Sequence, residues 1–198
     1  MSKSGITGVV LAGGLGRRMG RVDKGLQRLQ GRPMVRWVVD RLAPQVDQLL
    51  INANQHHDQY AEFGYPVIAD RVPDFSGPLA GLHVALSVAE HERVVTVPCD
   101  SPFLPADLVF RLEAALTAAD AQLAVARTFE QVHPVFCLCR RDVLPHLTDF
   151  LAAGERQFHR WYATLKVVEV PFDDEAEAFA NINTPEDLAA CEIQRPSQ

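Results

Sequence analysis

The amino-acid sequence predicts a three-layer α/β protein with a mostly parallel sheet. Three observations carry that expectation. Short apolar runs of strand length alternate with longer segments of helical periodicity, the pattern of βαβ units. The first run, Ile6 and Val9 to Leu11, breaks directly into Gly13, Gly14 and Gly16. Later runs end in Asn52, Asp70 and Asp100, polar residues of the kind that line the ligand-binding edge of an open sheet.

Taken in order, the elements follow from local chemistry. Ile6 to Leu11 is apolar enough for a strand buried on both faces. Pro33 suits the first turn of a helix running to about Leu42, with Met34, Val35, Val38, Val39 and Leu42 forming its apolar face. Leu49 to Ile51 is a second buried strand, ending in Asn52-Ala53-Asn54, and Val67 to Ala69 a short third, ending at Asp70. Gly77 and Pro78 lead into a helix from about Leu79 to Ala89. Val94 to Val97 is apolar and β-branched throughout, which nominates it for the centre of the sheet. It ends in Pro98-Cys99-Asp100.

A helix from about Ala106 to Ala119 follows, then strands near Leu123 to Ala126 and Val135 to Leu138, two helices flanking Gly154, and a last strand at Val167 to Val170. Thr184 caps a final helix, with Pro185 at its first position and Glu186 and Asp187 at its positive end. Trp37, Phe110 and Trp161 are expected in the core. Without repeats, low-complexity tracts or linkers, the 198 residues are expected to form one domain, 1–198.

Composition narrows the function classes. Hydrophobic residues make up 47% and charged residues 22% of the chain, ordinary for a globular protein with a full core. The net charge of −6 gives no general attraction for nucleic acid. Cys99, Cys137, Cys139 and Cys191 show no CxxC spacing, so reduced thiols are expected rather than a disulfide framework or zinc site. No apolar run approaches the ~18 residues of a membrane span, and a cytoplasmic protein is expected.

The glycine-rich stretch is followed by Arg17, Arg18, Arg21 and Lys24, opposed only by Asp23. Backbone N–H groups at glycines close on anions, and the neighbouring cations neutralise them. Three mechanisms compete. The dinucleotide fingerprint needs G-x-G-x-x-G and an acid ending the second strand; here Gly14-Leu15-Gly16-Arg17-Arg18 continues with Met19, Gly20 comes one place late, and that strand ends in Asn52. The ATPase phosphate loop needs Gly-Lys-Ser/Thr, whereas Lys24 is followed by Gly25. The plainest alternative is a structural turn beneath a solvated basic face. Leu11-Ala12-Gly13-Gly14, then Arg18-Met19-Gly20 and Asp23-Lys24, resembles the signature of nucleotidyltransferases that use a nucleoside triphosphate, and the resemblance implies Arg18 and Lys24 on its phosphates; each such charge-assisted bond contributes ~1.5–3 kcal/mol.

Asp100, after the central strand, would repel a triphosphate unless a divalent cation lay between them. Mg²⁺ bound through one carboxylate and phosphate oxygens resolves the conflict, the alternative being a turn cap. Asn52 and Asp70 share that edge and suit either base or ribose contacts, or turns. Gly77 and Gly81 permit close backbone approach to the same ligand, or simply helix entry and tight packing.

With Leu11-Ala12-Gly13-Gly14, Arg18-Met19-Gly20, Asp23-Lys24-Gly25, Asn52-Ala53-Asn54, Gly77-Pro78-Leu79-Ala80-Gly81, Pro98-Cys99-Asp100 and Asn181-Ile182-Asn183-Thr184-Pro185-Glu186 all in order, the chain resembles the molybdenum cofactor guanylyltransferases from about Thr7 to Cys191. The resemblance implies a Rossmann-like nucleotide-binding fold of the nucleotide-diphospho-sugar transferase type. It also implies transfer of GMP from GTP to the terminal phosphate of molybdenum-bearing molybdopterin, with release of pyrophosphate. By the same resemblance Leu11, Ala12, Gly13, Lys24, Asn52, Asp70 and Asp100 belong to the GTP site, with Asp100 the Mg²⁺ ligand. Asn181 and Asn183 fall on the molybdopterin side. Lys24, Arg18 and Asp100 are expected to carry the chemistry. Cofactor-delivery or molybdenum-insertion proteins are expected as transient partners, and no membrane or nucleic acid.

Overall fold

A computed structural model of the chain describes residues 5–12, 23–70 and 77–194. The first strand, β1 (Ile6–Leu11), sends alternate side chains to opposite faces, Val10 into one core cluster and Val9 into another. A 3₁₀ turn at Lys24–Leu26 precedes a small hairpin, β2 (Arg28–Leu29) and β3 (Arg32–Pro33), which is separate from the main sheet. Its turn places Gln30 and Gly31 at φ of 51° and 77°, the two positive values of a type I′ turn.

Helix α1 (Met34–Leu42) buries the five residues expected from its periodicity, Met34, Val35, Val38, Val39 and Leu42. β4 (Gln48–Asn52), α2 (His57–Ala61), β5 (Val67–Ile68), α3 (Pro78–Val88) and β6 (Arg93–Pro98) follow. The second half runs α4 (Leu108–Ala118), β7 (Leu123–Thr128), β8 (Gln131–Arg140), α5 (Leu144–Ala152), α6 (Phe158–Tyr162), β9 (Val167–Pro171) and α7 (Pro185–Gln194).

The seven-stranded sheet has the order β5-β4-β1-β6-β8-β7-β9, with β6 at its centre as its β-branched sequence predicts. β5, β4, β1 and β6 are parallel, and β9 is parallel to β7. β8 alone runs antiparallel to both neighbours. Leu49, Ile51, Val95 and Val97 join the cluster that packs on α1 and α4, whereas Leu50 and Val94 join the cluster under α3, α5 and α6. Helices on both faces of one sheet make the three layers. A third, smaller cluster of Leu29, Met34 and Ile182, with Trp37, Phe103 and Leu188 against it, ties the hairpin to the chain that enters α7. Among the described residues no helix is long and apolar enough to cross a membrane.

The structure corrects three expectations. Helix α4 starts at Leu108 rather than Ala106. β8 extends well beyond Val135 to Leu138, because a tight turn at Phe129, with φ of 50°, returns it beside β7. Phe110 is 73% exposed on the outer face of α4, opposite the buried Leu108, Val109, Leu112 and Leu116; Trp161 is fully buried and Trp37 half-buried. Helical phase, not hydrophobicity, decides the fate of Phe110.

Leu112 is fully buried between α4 and the sheet. Leu112→Ala should lower unfolding free energy by about 2–5 kcal/mol, read as a reduced midpoint in urea with unchanged slope.

Candidate active site

Parallel strands β5, β4, β1 and β6 deliver their carboxyl ends to one edge. In spatial order these ends carry Asp70, Asn52, Leu11 with Ala12, and Asp100. The chain moves outward from β1 to β4 and β5, then crosses back to β6 on the other side of β1. The topological switch point therefore lies between β1 and β6, where open α/β sheets bind ligands. From β5 to β6 is three inter-strand steps, roughly 14 Å.

At the switch point Lys24 Nζ donates to Asp100 Oδ2 at 3.1 Å and to Asn183 Oδ1 at 2.5 Å. The Lys24 and Asp100 side chains keep 22% and 13% of their exposure, so the pair is accessible yet poorly solvated. Ile182 N donates to the Asp100 carbonyl at 2.8 Å, and buried Ser101 donates through Oγ to Asn181 Oδ1 at 2.6 Å. The segment entering α7 is thus stitched to the end of the central strand. Asp187 Oδ2 accepts from the backbone N–H groups of Asn183 and Thr184, while Thr184 Oγ1 accepts from Asp187 N. This reciprocal cap fixes the backbone that presents Asn183.

A second group forms at the ends of β4 and β5. Asp70 Oδ1 accepts from Asn52 Nδ2 at 3.0 Å, and Asp70 Oδ2 accepts from Asn54 Nδ2 at 2.8 Å; Asp70 N donates back to Asn54 Oδ1. Asn52 is only 3% exposed and also donates to the Ile68 carbonyl. It braces Asp70 from below, while Asp70 faces outward. Gly81 explains how Asn52 fits beneath α3: a Cβ there would lie 2.5 Å from Asn52 Oδ1 and 2.9 Å from Leu11 Cδ2. Gly77, at φ of 127°, caps α3 in a conformation that side chains resist. Ala12 N donates to the Asn52 carbonyl, which closes the ladder between β1 and β4.

Lys24, Asp100, Asn181 and Asn183 thus meet in one group, and Asn52, Asp70, Gly81 and Leu11 in the adjacent one. Gly13, Gly14 and Arg18 lie outside the described residues. Burial first, and then the nearby Asp100 charge, push the Cys99 thiol above its ordinary range, against the thiolate form that a nucleophile needs. Sequence reasoning missed the bond between Tyr60 and Asp23 described below; a tyrosine in a polar segment gives no local sign of a partner 37 residues away.

The donor set at Asp100 fits a hard divalent cation. Carboxylate oxygens are what such an ion takes. No group of three or more His, Cys, Asp or Glu converges anywhere among the described residues, so the ion's other ligands would be water and substrate oxygens.

Comparison with known proteins gives the family of this fold. The model of the MobA-like NTP transferase domain matches residues 8–168. The chain belongs to that family. As a MobA-like NTP transferase it is a nucleotidyltransferase. A protein of Cupriavidus metallidurans named molybdenum cofactor guanylyltransferase is 48% identical, over 98% of each chain. A protein of the same name from Burkholderia lata is 50% identical, over 93% of this chain and 94% of its own length. The crystal structure of molybdopterin-guanine dinucleotide biosynthesis protein A from Archaeoglobus fulgidus superposes with a TM-score of 0.81 at 26% identity, covering 94% of this chain and 97% of that one. The 4-diphosphocytidyl-2C-methyl-D-erythritol synthase of Anaerococcus prevotii, at 12% identity and a TM-score of 0.72 over 97% of each chain, shares the fold.

Two outcomes are expected. Gly81→Ala should displace Asn52 and loosen Asp70, raising the KM for the nucleotide by about tenfold, in line with a displaced charge-assisted contact, with kcat changed much less; steady-state kinetics checks this. The hydrogen bonds from Asn183 N, and then from Thr184, hold the Asp187 carboxyl below its ordinary value of 3.8. A depressed folded-state pKa contributes stability above the unfolded value and loses it as pH falls through the folded one. Protection of the Asn183 and Thr184 amides, taken at each pH relative to the same amides in the unfolded chain, should therefore hold at neutral pH and fall only once the pH drops below the ordinary carboxyl value of 3.8.

Proposed function

We propose that the chain transfers GMP from GTP to the terminal phosphate of molybdenum-bearing molybdopterin, releasing pyrophosphate and forming the guanine dinucleotide cofactor. The observation that carries this is the junction of Lys24, Asp100 and Asn183 at the switch point, in a chain whose near full-length relatives bear the guanylyltransferase name. In this reading residues 1–198 act as one domain, the N-terminal part holding GTP and the C-terminal part mainly the acceptor.

The guanine and ribose lie towards Asp70, whose carboxylate retains lone pairs for N–H or O–H donors, with Asn52 and Asn54 as its supports. The triphosphate passes Leu11 and Ala12 and is held by Lys24, with Gly13, Gly14 and Arg18, which lie outside the described residues, assigned to it from the sequence. Gly77 and Gly81 keep the wall of α3 close to it. Asn181 and Asn183 face the acceptor.

An oxygen of the acceptor's terminal phosphate attacks the α-phosphorus of GTP in line. The new P–O bond forms as the bond to the bridging oxygen breaks, and pyrophosphate leaves with that electron pair. Asp100 would hold a divalent cation, Mg²⁺ in this reading, which would supply neutralisation of phosphate charge. Lys24 exchanges its carboxylate partner for a phosphate oxygen and neutralises charge that develops on the leaving group. Asn183 orients Lys24 during that exchange. Direct displacement at phosphorus needs no enzyme-bound intermediate. A cytoplasmic setting and transient handover from cofactor-delivery or molybdenum-insertion proteins accord with the same reading.

The test is pyrophosphate release with molybdopterin as acceptor and GTP, CTP or ATP as donor, with and without Mg²⁺. Mg·GTP should be preferred, and Asp100→Ala should lower kcat at saturating GTP by about 10²-fold or more. Preference for CTP would keep the acceptor and the mechanism but replace guanine in the product, and full turnover by Asp100→Ala would remove the metal assignment.

A further inference from the structure

We propose that Tyr60 is a positioning residue for nucleotidyl transfer: its phenol holds Asp23, and Asp23 holds the turn that aims Lys24 at Asp100. The kinetic part of this rests on the guanylyltransferase reading above; the structural part does not.

Tyr60 lies in α2, just beyond the Asn52-Ala53-Asn54 segment, and is fully buried in the core. Packing alone calls for an aromatic ring there, which phenylalanine would supply. The hydroxyl does something else. It donates to Asp23 Oδ1 at 2.6 Å, and the same oxygen accepts from Gly25 N at 3.1 Å. Asp23 is thereby the cap of the 3₁₀ turn Lys24–Leu26, and its orientation is set from beneath by Tyr60. Lys24, the first residue of that turn, reaches Asp100 and Asn183.

Space at Gly25 points the same way. A Cβ at Gly25 would lie 2.5 Å from the Tyr60 hydroxyl oxygen and 3.4 Å from Cβ and Sγ of Cys99. At Gly25 the turn packs closely against both the phenol and the residue that precedes Asp100. Both ends of the Lys24–Asp100 pair are therefore referenced to one buried point. Burial first, then the neighbouring Cys99 and Asp23, push the Tyr60 hydroxyl far above its ordinary range, so the donor persists wherever the chain is folded.

Tyr60→Phe keeps the ring and removes only the bond to Asp23. Acetylation of Lys24 by acetic anhydride, followed by mass spectrometry without nucleotide and with exposed Lys166 as internal reference, should become several-fold faster in the variant. In the GTP-dependent assay kcat/KM should fall about tenfold, within the range that small misplacements produce. In a Lys24→Ala background the same substitution should change kcat/KM by less than about twofold, because coupled residues do not add. Asp23→Asn, which keeps the acceptor oxygen, should retain most of the rate that Asp23→Ala loses; this pair carries the test if Tyr60→Phe does not fold. Unchanged Lys24 reactivity and kinetics in Tyr60→Phe would overturn the proposal, as would an equal loss in both backgrounds, which marks a general structural effect. A wild-type chain that bound no GTP would sink the guanylyltransferase reading, while the acetylation rates would still decide the role of Tyr60.

Discussion

One contact between opposite charges governs this structure, that of Lys24 with Asp100 at the junction of β1 and β6. The partners are 76 residues apart, and Asn183, which shares the lysine, is 159 residues from it. Removing one member of a poorly solvated pair leaves the other's charge uncompensated, so the surroundings must hold both. The sheet fixes Asp100 through the ladder between β1 and β6, and the capped turn fixes Lys24. The pair carries the two signs that a triphosphate and its cation also carry, so each side chain has a ligand group of opposite sign to turn to.

The second consequence concerns division of labour along the edge. Asn52 and Asp70 stand on the short outer strands, braced by each other and by Asn54. Asp100 follows the central strand, which pairs with β1 on one side and β8 on the other. In the proposed reading the groups that select a ligand therefore end the two outermost parallel strands, and the group that handles charge follows the central one. Gly81 links the two by letting α3 press on Asn52 and Leu11 together.

Much of this was legible in the chain. Five apolar positions of α1, the place of β6 at the centre, the short β5 and the cap at Thr184 all follow from periodicity and local chemistry. The polar residues ending β4, β5 and β6 were recognisable because parallel strands in one layer must bring like ends together. What escaped was set by tertiary contacts. The direction of β8 depends on a hairpin whose turn residue, Phe129, takes a positive φ without the usual Asn-Gly signal. Phe110 is as apolar as its buried neighbours but points the wrong way round the helix. Tyr60 finds Asp23 only after β4 has been laid beside β1, and no local pattern announces a bond across 37 residues.

The small cluster of Leu29, Met34 and Ile182 bears on how the chain acquires its activity during synthesis. Domains emerge from the ribosome N-terminus first, so the strands that lead to Asp70 and Asp100 are made before Asn183. Asn183 is seated when Ile182 packs against Leu29 and Met34, residues made much earlier. Lys24 therefore gains this partner only once the segment around Ile182 has docked.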